Sequence, residues 1–260
     1  MAVLIAIPVY NEIKYVAAVL AETQKYNEHV LFVDDASTDG TSDFLQQHAA
    51  RLPGVHVVRH ADNSGYGRSI IDAFDFAAAR GFDWVITMDC DEQHEPQMIP
   101  HFKRAIETDA WDVISGTRYT AESAADDAAP GSRRLINMTI TSVINDLFGW
   151  QLTDTFCGFK AHRTTAMTKL GLDEAGYAFP LQLWPRLYEA GLRVTELPVK
   201  RIYNDPNRTF GVHLDDADRR LRHYMGVLKA ELLRIGHASA DCVDDITLDD
   251  PHACCGCEHP

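Results

Sequence analysis

The sequence contains no apolar run approaching the roughly 18 residues that a membrane-spanning helix needs. Residues 1–10 carry no Lys or Arg and run into Pro8, so no secretory signal peptide is read there and synthesis in the cytosol is expected. Cysteine is scarce in the body of the chain. Only Cys90 and Cys157 precede residue 240, while Cys242, Cys254, Cys255 and Cys257 crowd into the last nineteen residues. That distribution excludes a disulfide framework for the body and favours a reducing compartment. Positive charge is short: 24 Lys and Arg face 38 Asp and Glu, for a net charge of −14. A surface this acidic argues against general nucleic-acid binding but leaves room for a local basic pocket. No Lys or Arg follows Arg234, whereas Asp241, Asp244, Asp245, Asp249, Asp250 and Glu258 do. No internal repeat is visible.

What is present is ordinary globular material: 260 residues, 46% hydrophobic and 24% charged, enough to bury a core without disulfides. The first hundred residues alternate strand and helix signals. Short β-rich runs at 3–7, 30–33, 55–58 and 84–88 are separated by helical patterns, one with Ile13, Val16, Val19 and Leu20 on one face, one ending near Ala50, and one from Gly65 to about Arg80. This order predicts right-handed βαβ crossovers and an α/β fold with a mostly parallel sheet flanked by helices. The segment 121–132 is small, polar and acidic and reads as a surface loop or lid. Arg133 and Arg134 then open a helix to about Phe148, 154–160 reads as a compact turn, 193–197 as a last strand and 214–235 as a long helix.

Parallel sheets bind ligands beyond the carboxyl ends of their strands. The unusual polar groups fall there: Asn11 and Glu12 after the first strand, Asp34 and Asp35 after the second, Asp89 and Asp91 after the fourth. Three strand ends are therefore expected to converge on one crevice. Asp89-Cys90-Asp91 offers two hard carboxylates, with Gln93 and His94 near, for Mg²⁺ or Mn²⁺ whose remaining positions go to phosphate oxygens. A lone Asp-x-Asp is usually a solvated acidic turn. Here the strand before it and the acidic ends of its neighbours favour the metal. Ser37, Thr38 and Asp39 read as a helix cap. They leave Asp34-Asp35 unexplained, and Asp35 is a candidate acceptor of hydrogen bonds from a nucleotide base or ribose.

Taken in order, the motifs resemble the family 2 glycosyltransferases of GT-A fold, nearest to the polyprenyl-phosphate (dolichol-phosphate) mannosyl- and glucosyltransferases. The segments are Ile7-Pro8-Val9-Tyr10-Asn11-Glu12, Val33-Asp34-Asp35-Ala36-Ser37-Thr38-Asp39-Gly40-Thr41, Asn63 with Gly65-Tyr66-Gly67, Met88-Asp89-Cys90-Asp91-Glu92-Gln93-His94-Glu95-Pro96, Ser115-Gly116-Thr117-Arg118-Tyr119, Asp154-Thr155-Phe156-Cys157-Gly158-Phe159, and Arg208 with Gly211. The family pattern usually has Ala where Cys90 stands, and a Ser-Lys pair where His213 and Leu214 stand. The resemblance covers residues 4 to 212. It implies that Pro8, Tyr10, Glu12, Val33, Asp35, Asn63 and Cys90 line the nucleotide-sugar pocket with Asp89 and Asp91. It implies that Asp89, Asp91 and Gln93 hold the metal, and that Arg118, one of Arg133 and Arg134, and Arg208 bind phosphate groups. A metal with an arginine clamp suits the charge that builds on a departing diphosphate. A lipid-phosphate acceptor is already anionic and needs no strong base. A hydroxyl acceptor does, and Asp154 is then the candidate.

The expected organisation is a GT-A catalytic domain over 1–212, an amphipathic helix over 213–236, and an acidic Cys/His-rich tail over 237–260 read as disordered. The helix carries Leu221, Leu228 and Leu232 beside Arg219, Arg220, Arg222, Lys229 and Arg234. It could rest on anionic lipid or pack its apolar face on the catalytic domain. Asp215, Asp216 and Asp218 favour packing. The tail's cysteines and histidines have the composition of a Zn²⁺ site but match no standard spacing. The expected activity is inverting transfer of a hexose, with mannose from GDP-mannose first, to a polyprenyl phosphate at the cytoplasmic side, any membrane contact being peripheral or through a partner. A UDP-sugar donor with a saccharide or other hydroxyl acceptor is the alternative. A nucleotide-sugar-binding protein without turnover, and a metal-handling protein built on the tail, are rivals of other classes.

Overall fold

Seven short segments form one sheet: β1 (Val3–Val9), β2 (Val30–Asp34), β3 (Val55–Arg59), β4 (Trp84–Thr87), β5 (Val113–Thr117), β6 (Lys160–Arg163) and β7 (Val194–Pro198). Their order is β3-β2-β1-β4-β6-β5-β7. The computed structural model describes residues 1–120, 123, 131–200, 202 and 216–248. Most of the expected lid, together with Arg208, Gly211, and Cys254, Cys255 and Cys257 of the tail, lies outside the described residues.

The parallel expectation holds for β3, β2, β1 and β4 and again for β5 with β7. β6 is antiparallel to both its neighbours, so the sheet is mixed. In β1 alternate side chains serve opposite faces, as pleating requires. Leu4 and Ala6 join the core under helices α3 (Tyr66–Arg80), α5 (Gly131–Phe148) and α7 (Phe179–Glu189). Val3, Ile5, Ile7 and Val9 join the core under α1 (Val16–Thr23), α2 (Thr41–Ala49) and α4 (Ile99–Glu107). Both faces are covered, which is why these strands read as nearly unbroken apolar runs. A short α6 (Thr164–Met167) follows β6.

The C-terminal helix, α8 (Ala217–Arg234), starts at Asp216, whose side chain caps it by accepting from the Arg219 amide at 2.8 Å. Its stripe Leu221, Tyr224, Met225, Leu228 and Leu232 belongs to the same core as Leu183, Trp184 and Leu187 of α7. Glu231 sits on that stripe and is buried, held by Gln182 at 2.8 Å and by Arg186 and Arg234 at 2.6 and 2.9 Å. The apolar face of α8 therefore packs on the protein, as the acidic residues at its start suggested. The expectation of disorder from residue 237 is corrected for its first part. Ala240, Val243 and Ile246 are buried in this core, and His237 Nε2 lies 3.2 Å from the Leu147 carbonyl. No helix among the described residues is long and apolar enough to cross a membrane.

Candidate active site

The loops after β1 and β2 are tied together. Asn11 donates its amide to Ser37 Oγ at 2.9 Å and accepts from the Thr38 amide at 2.8 Å; the Glu12 amide donates to Thr41 Oγ1 at 3.0 Å. Three non-glycine residues with left-handed backbone mark the three strand ends: Asn11 (φ 58°), Ala36 (φ 63°) and Glu92 (φ 59°). Ala and Glu gain nothing intrinsic from that region, and such strain persists where surrounding structure fixes it, commonly at ligand sites.

The two carboxylates after β2 have different duties. Asp34 turns into the protein, accepting from the Ser37 amide at 3.0 Å and from the Ser42 hydroxyl. Asp35 faces the crevice. It accepts from the Ser64 and Gly65 amides at 2.6 and 2.9 Å, and His60 Nδ1 lies 2.7 Å away. The other ring nitrogen of His60 lies 2.8 Å from Asp72, so His60 ties Asp35 to α3.

After β4, Asp89 and Asp91 both line the crevice, with Cys90 and Gln93. The Asp89 amide donates to His94 Nδ1 at 2.9 Å. Burial pushes the His94 pKa down to about 4, so the ring is neutral and can accept that bond. Opposite Asp89 stands Gly158. A Cβ there would lie 2.8 and 2.9 Å from the two Asp89 carboxylate oxygens, so only glycine leaves the carboxylate its space. Burial, together with the charge of Asp89, raises the Tyr66 hydroxyl well above its ordinary pKa. Among the described residues no group of three or more His, Cys, Asp or Glu side chains is placed to hold a metal by itself. Asp89, Asp91 and the side-chain carbonyl of Gln93 are a partial set of hard oxygen donors. Such a set fits a Mg²⁺ or Mn²⁺ that arrives with phosphate oxygens to complete its shell.

Beyond β4 the wall changes sign. Arg118, directly after β5, forms a two-pronged pair with Asp154, Nε and Nη2 donating at 2.6 and 3.0 Å. Burial works against the Arg118 charge, but Asp154 outweighs it and the guanidinium pKa is raised. Arg133, Ile136 and Asn137 of α5 continue this wall, followed by Phe156, Tyr177, Arg220 and Tyr224. The whole crevice is one cavity of about 810 Å³.

Of the expected residues, Pro8, Tyr10, Glu12, Asp35, Asn63, Asp89, Cys90, Asp91, Gln93, Arg118 and Arg133 line this cavity. Val33 does not: it is fully buried on the α3 side of the sheet. Arg134 is exposed and outside the lining, so of the two neighbours Arg133 is the one in the cavity. The structure does not place Asp154 where a base would stand. It is fully buried, off the lining, and its oxygens accept from Arg118, from Asn137 at 2.7 Å and from the Phe156 amide at 3.2 Å. Burial opposes its charge, yet Arg118 and Asn137 hold its carboxyl below the usual range. Asn137, Tyr177, Arg220 and Tyr224 were not foreseen. For Arg220 and Tyr224 a signal existed, since they stand four apart on the apolar stripe of α8.

The model of the family described as "Glycosyl transferase family 2" matches residues 4–171. The chain is 32% identical over 204 residues to the undecaprenyl-phosphate mannosyltransferase of Micrococcus luteus, covering 76% of this chain and 83% of that protein. It is 29% identical to the polyprenol monophosphomannose synthase of Mycolicibacterium smegmatis, covering 75% and 76% of the two chains. Among solved structures it superimposes on glucosyl-3-phosphoglycerate synthase from Mycobacterium tuberculosis, solved with Mn²⁺, uridine diphosphate and phosphoglyceric acid. The TM-score is 0.66 at 18% identity, covering 90% of this chain and 78% of that one.

Proposed function

The chain belongs to glycosyl transferase family 2 and is a glycosyltransferase, and on that premise we propose that it moves a hexose, mannose from GDP-mannose first, onto a polyprenyl phosphate with inversion. The observation that carries this reading is the sorting of charge along one cavity. Carboxylates Asp35, Asp89 and Asp91 line it at the β2 and β4 ends, and arginines Arg118, Arg133 and Arg220 line it from the end of β5, from α5 and from α8. The acidic half suits a nucleotide and a divalent metal; the basic half suits an acceptor that is itself a phosphate. The names of the two relatives point to the same acceptor class.

In this mechanism Pro8, Tyr10, Glu12, Asp35 and Asn63 bind the nucleoside, with His60 keeping Asp35 aimed. Asp89, Asp91 and Gln93 would hold Mg²⁺ or Mn²⁺, which supplies Lewis-acid neutralisation of the diphosphate. Arg118, pinned by Asp154, faces the phosphates with a fixed guanidinium. An acceptor phosphate oxygen attacks the anomeric carbon. The new C–O bond forms as the bond to the nucleoside diphosphate breaks, and that diphosphate leaves with the electron pair. The acceptor arrives already ionised, so no side chain has to remove a proton. Asp154 in this reading anchors Arg118, and that favours the phosphate over a hydroxyl acceptor.

The test follows release of nucleoside diphosphate with Mn²⁺ or Mg²⁺ across GDP- and UDP-sugars, with and without a short-chain polyprenyl phosphate. Release that requires the lipid phosphate supports the reading and names the donor. Metal-dependent donor binding with release stimulated only by a saccharide overturns the acceptor assignment. Gly158→Ala is a second check. The added methyl would displace the Asp89 carboxylate, and a misplacement of about 1 Å at a reacting centre costs on the order of 100-fold. We expect metal-dependent donor turnover to fall about 10- to 100-fold with the melting temperature little changed. Unaltered turnover would remove Asp89 from the metal site.

A further inference from the structure

Arg220 lies on α8, which begins well beyond residue 171, where the family match ends. The stripe it shares with Leu221, Tyr224, Met225 and Leu228 is otherwise the face that packs into the core. An arginine is seldom fully buried, because taking its charge from water is costly. Arg220 is nonetheless only 4% exposed and lines the cavity.

Its neighbours indicate what it faces. Tyr224, one turn further on, is buried, and burial pushes its hydroxyl up to about 12; Arg220 and Arg133 both act on that hydroxyl in the opposite sense. Two guanidinium groups from different helices, Arg133 of α5 and Arg220 of α8, line the same cavity as Tyr224. Arginines that line one cavity suit a phosphate, which they hold through paired charge-assisted hydrogen bonds. The same cavity has apolar surfaces. The Phe156 ring is 5.3 Å from that of Tyr224, and Tyr177 is stacked on Tyr66 at 5.9 Å. A guanidinium pair next to aromatic rings is suited to a phosphomonoester on an apolar chain.

We propose that Arg220 of α8, together with Arg133 of α5, forms the subsite for the acceptor's phosphate, with Phe156, Tyr177 and Tyr224 receiving the first carbons of its chain. This rests on the lipid-phosphate reading for its biological acceptor, but the subsite is a binding claim and is measurable without turnover. It also gives α8 a role: acceptor choice is written in a helix outside the segment that the family model matches.

The experiment measures binding of a short-chain prenyl phosphate by calorimetry to the full chain and to Arg220→Gln and Arg220→Lys, with the prenyl alcohol and inorganic phosphate as further probes. Binding of nucleoside diphosphate with Mn²⁺ serves as the control for folding. A hydrogen bond to a charged group is worth about 1.5–3 kcal/mol, so Arg220→Gln is expected to weaken prenyl phosphate binding about 10- to 150-fold. Arg220→Lys is expected to recover part of it, and the nucleotide control to stay within about twofold. In turnover the loss should appear in KM for the lipid phosphate more than in kcat. Inorganic phosphate binding as tightly as prenyl phosphate would overturn the aromatic part of the subsite. Equal prenyl phosphate binding by Arg220→Gln and the unaltered chain, or none by either, would overturn the proposal. Loss of prenyl phosphate binding in Arg220→Gln, in a protein that never transfers sugar to that lipid, would uphold the subsite and sink the transfer reading instead.

Discussion

Replacing Asp91 by alanine is expected to lower lipid-dependent release of nucleoside diphosphate by about 10³-fold or more. Removing even one fixed group that stabilises charge in a transition state costs about 10²–10³, and a metal ligand serves both binding and leaving-group neutralisation. Asp91 is buried on the cavity wall, and its Oδ1 accepts from the Gln93 amide at 3.1 Å. Asp89, two positions earlier, lines the same cavity, and two carboxylates sharing a site disfavour each other's charge. The stability effect should therefore run opposite to the activity effect. Without metal, Asp91→Ala and Asp91→Asn should melt at the same temperature as the unaltered protein or higher. With Mn²⁺ and nucleoside diphosphate at about 100 times their dissociation constant, the unaltered protein should gain about 2.7 kcal/mol. That corresponds to roughly 5–10 °C for a chain of this size. The variants should gain almost none of it. A variant that keeps its turnover, or keeps the ligand-induced rise, would remove Asp91 from the metal site.

The part of the site that Asp91 represents was legible because it obeys a local rule. β1, β2 and β4 are apolar runs that end abruptly in Asn, Asp or Glu, and adjacent parallel strands carry such ends to one crevice. Residues whose role depends on distant partners were not legible. β6, Lys160–Arg163, begins at the end of the compact turn read over 154–160 and carried no strand reading, yet Lys160 and His162 are buried. Lys160 Nζ is satisfied by Ser115 Oγ at 2.8 Å, and the His162 ring packs on Phe74 at 5.0 Å. Nothing within the four residues announces those partners. α7 was hidden by its prolines: Pro180 stands in its first turn, where proline is tolerated, but Pro185 lies inside the helix and breaks the expected pattern. Asp34 and Asp35 show the same limit within one motif. Their adjacency signalled a site, but only the positions of Ser37 and Ser42 on one side, and Ser64 and Gly65 on the other, assign one carboxylate to structure and the other to the cavity.

Asp154 is the sharpest case, and its replacement is expected to be the most damaging to stability. The sequence offered it as a base for a hydroxyl acceptor. The structure surrounds it with five donor groups: the Arg118 amide, Nε and Nη2, Asn137 Nδ2 and the Phe156 amide, at 2.6 to 3.2 Å. Removing one partner of a buried ion pair leaves an uncompensated charge and costs about 3–5 kcal/mol. Asp154→Ala should therefore lower the melting temperature by on the order of 10 °C, and Asp154→Asn, which keeps the shape but presents an amide to Arg118, by a smaller amount. The pH dependence follows the same pairing. Its carboxyl is held below the ordinary value, so its contribution is complete above the unfolded pKa of about 3.9 and is lost only as pH falls through the depressed folded value. An anchor of this kind puts no inflection into the rate near neutrality, whereas a general base does. If Asp154→Asn abolished sugar transfer while leaving the melting temperature untouched, and the unaltered enzyme lost activity on mild acidification as one proton is taken up, Asp154 would be the base and the acceptor a hydroxyl. Stability lost in Asp154→Ala and largely restored when Arg118 is also replaced by methionine would instead assign the carboxylate to holding Arg118, since the second change removes the stranded charge.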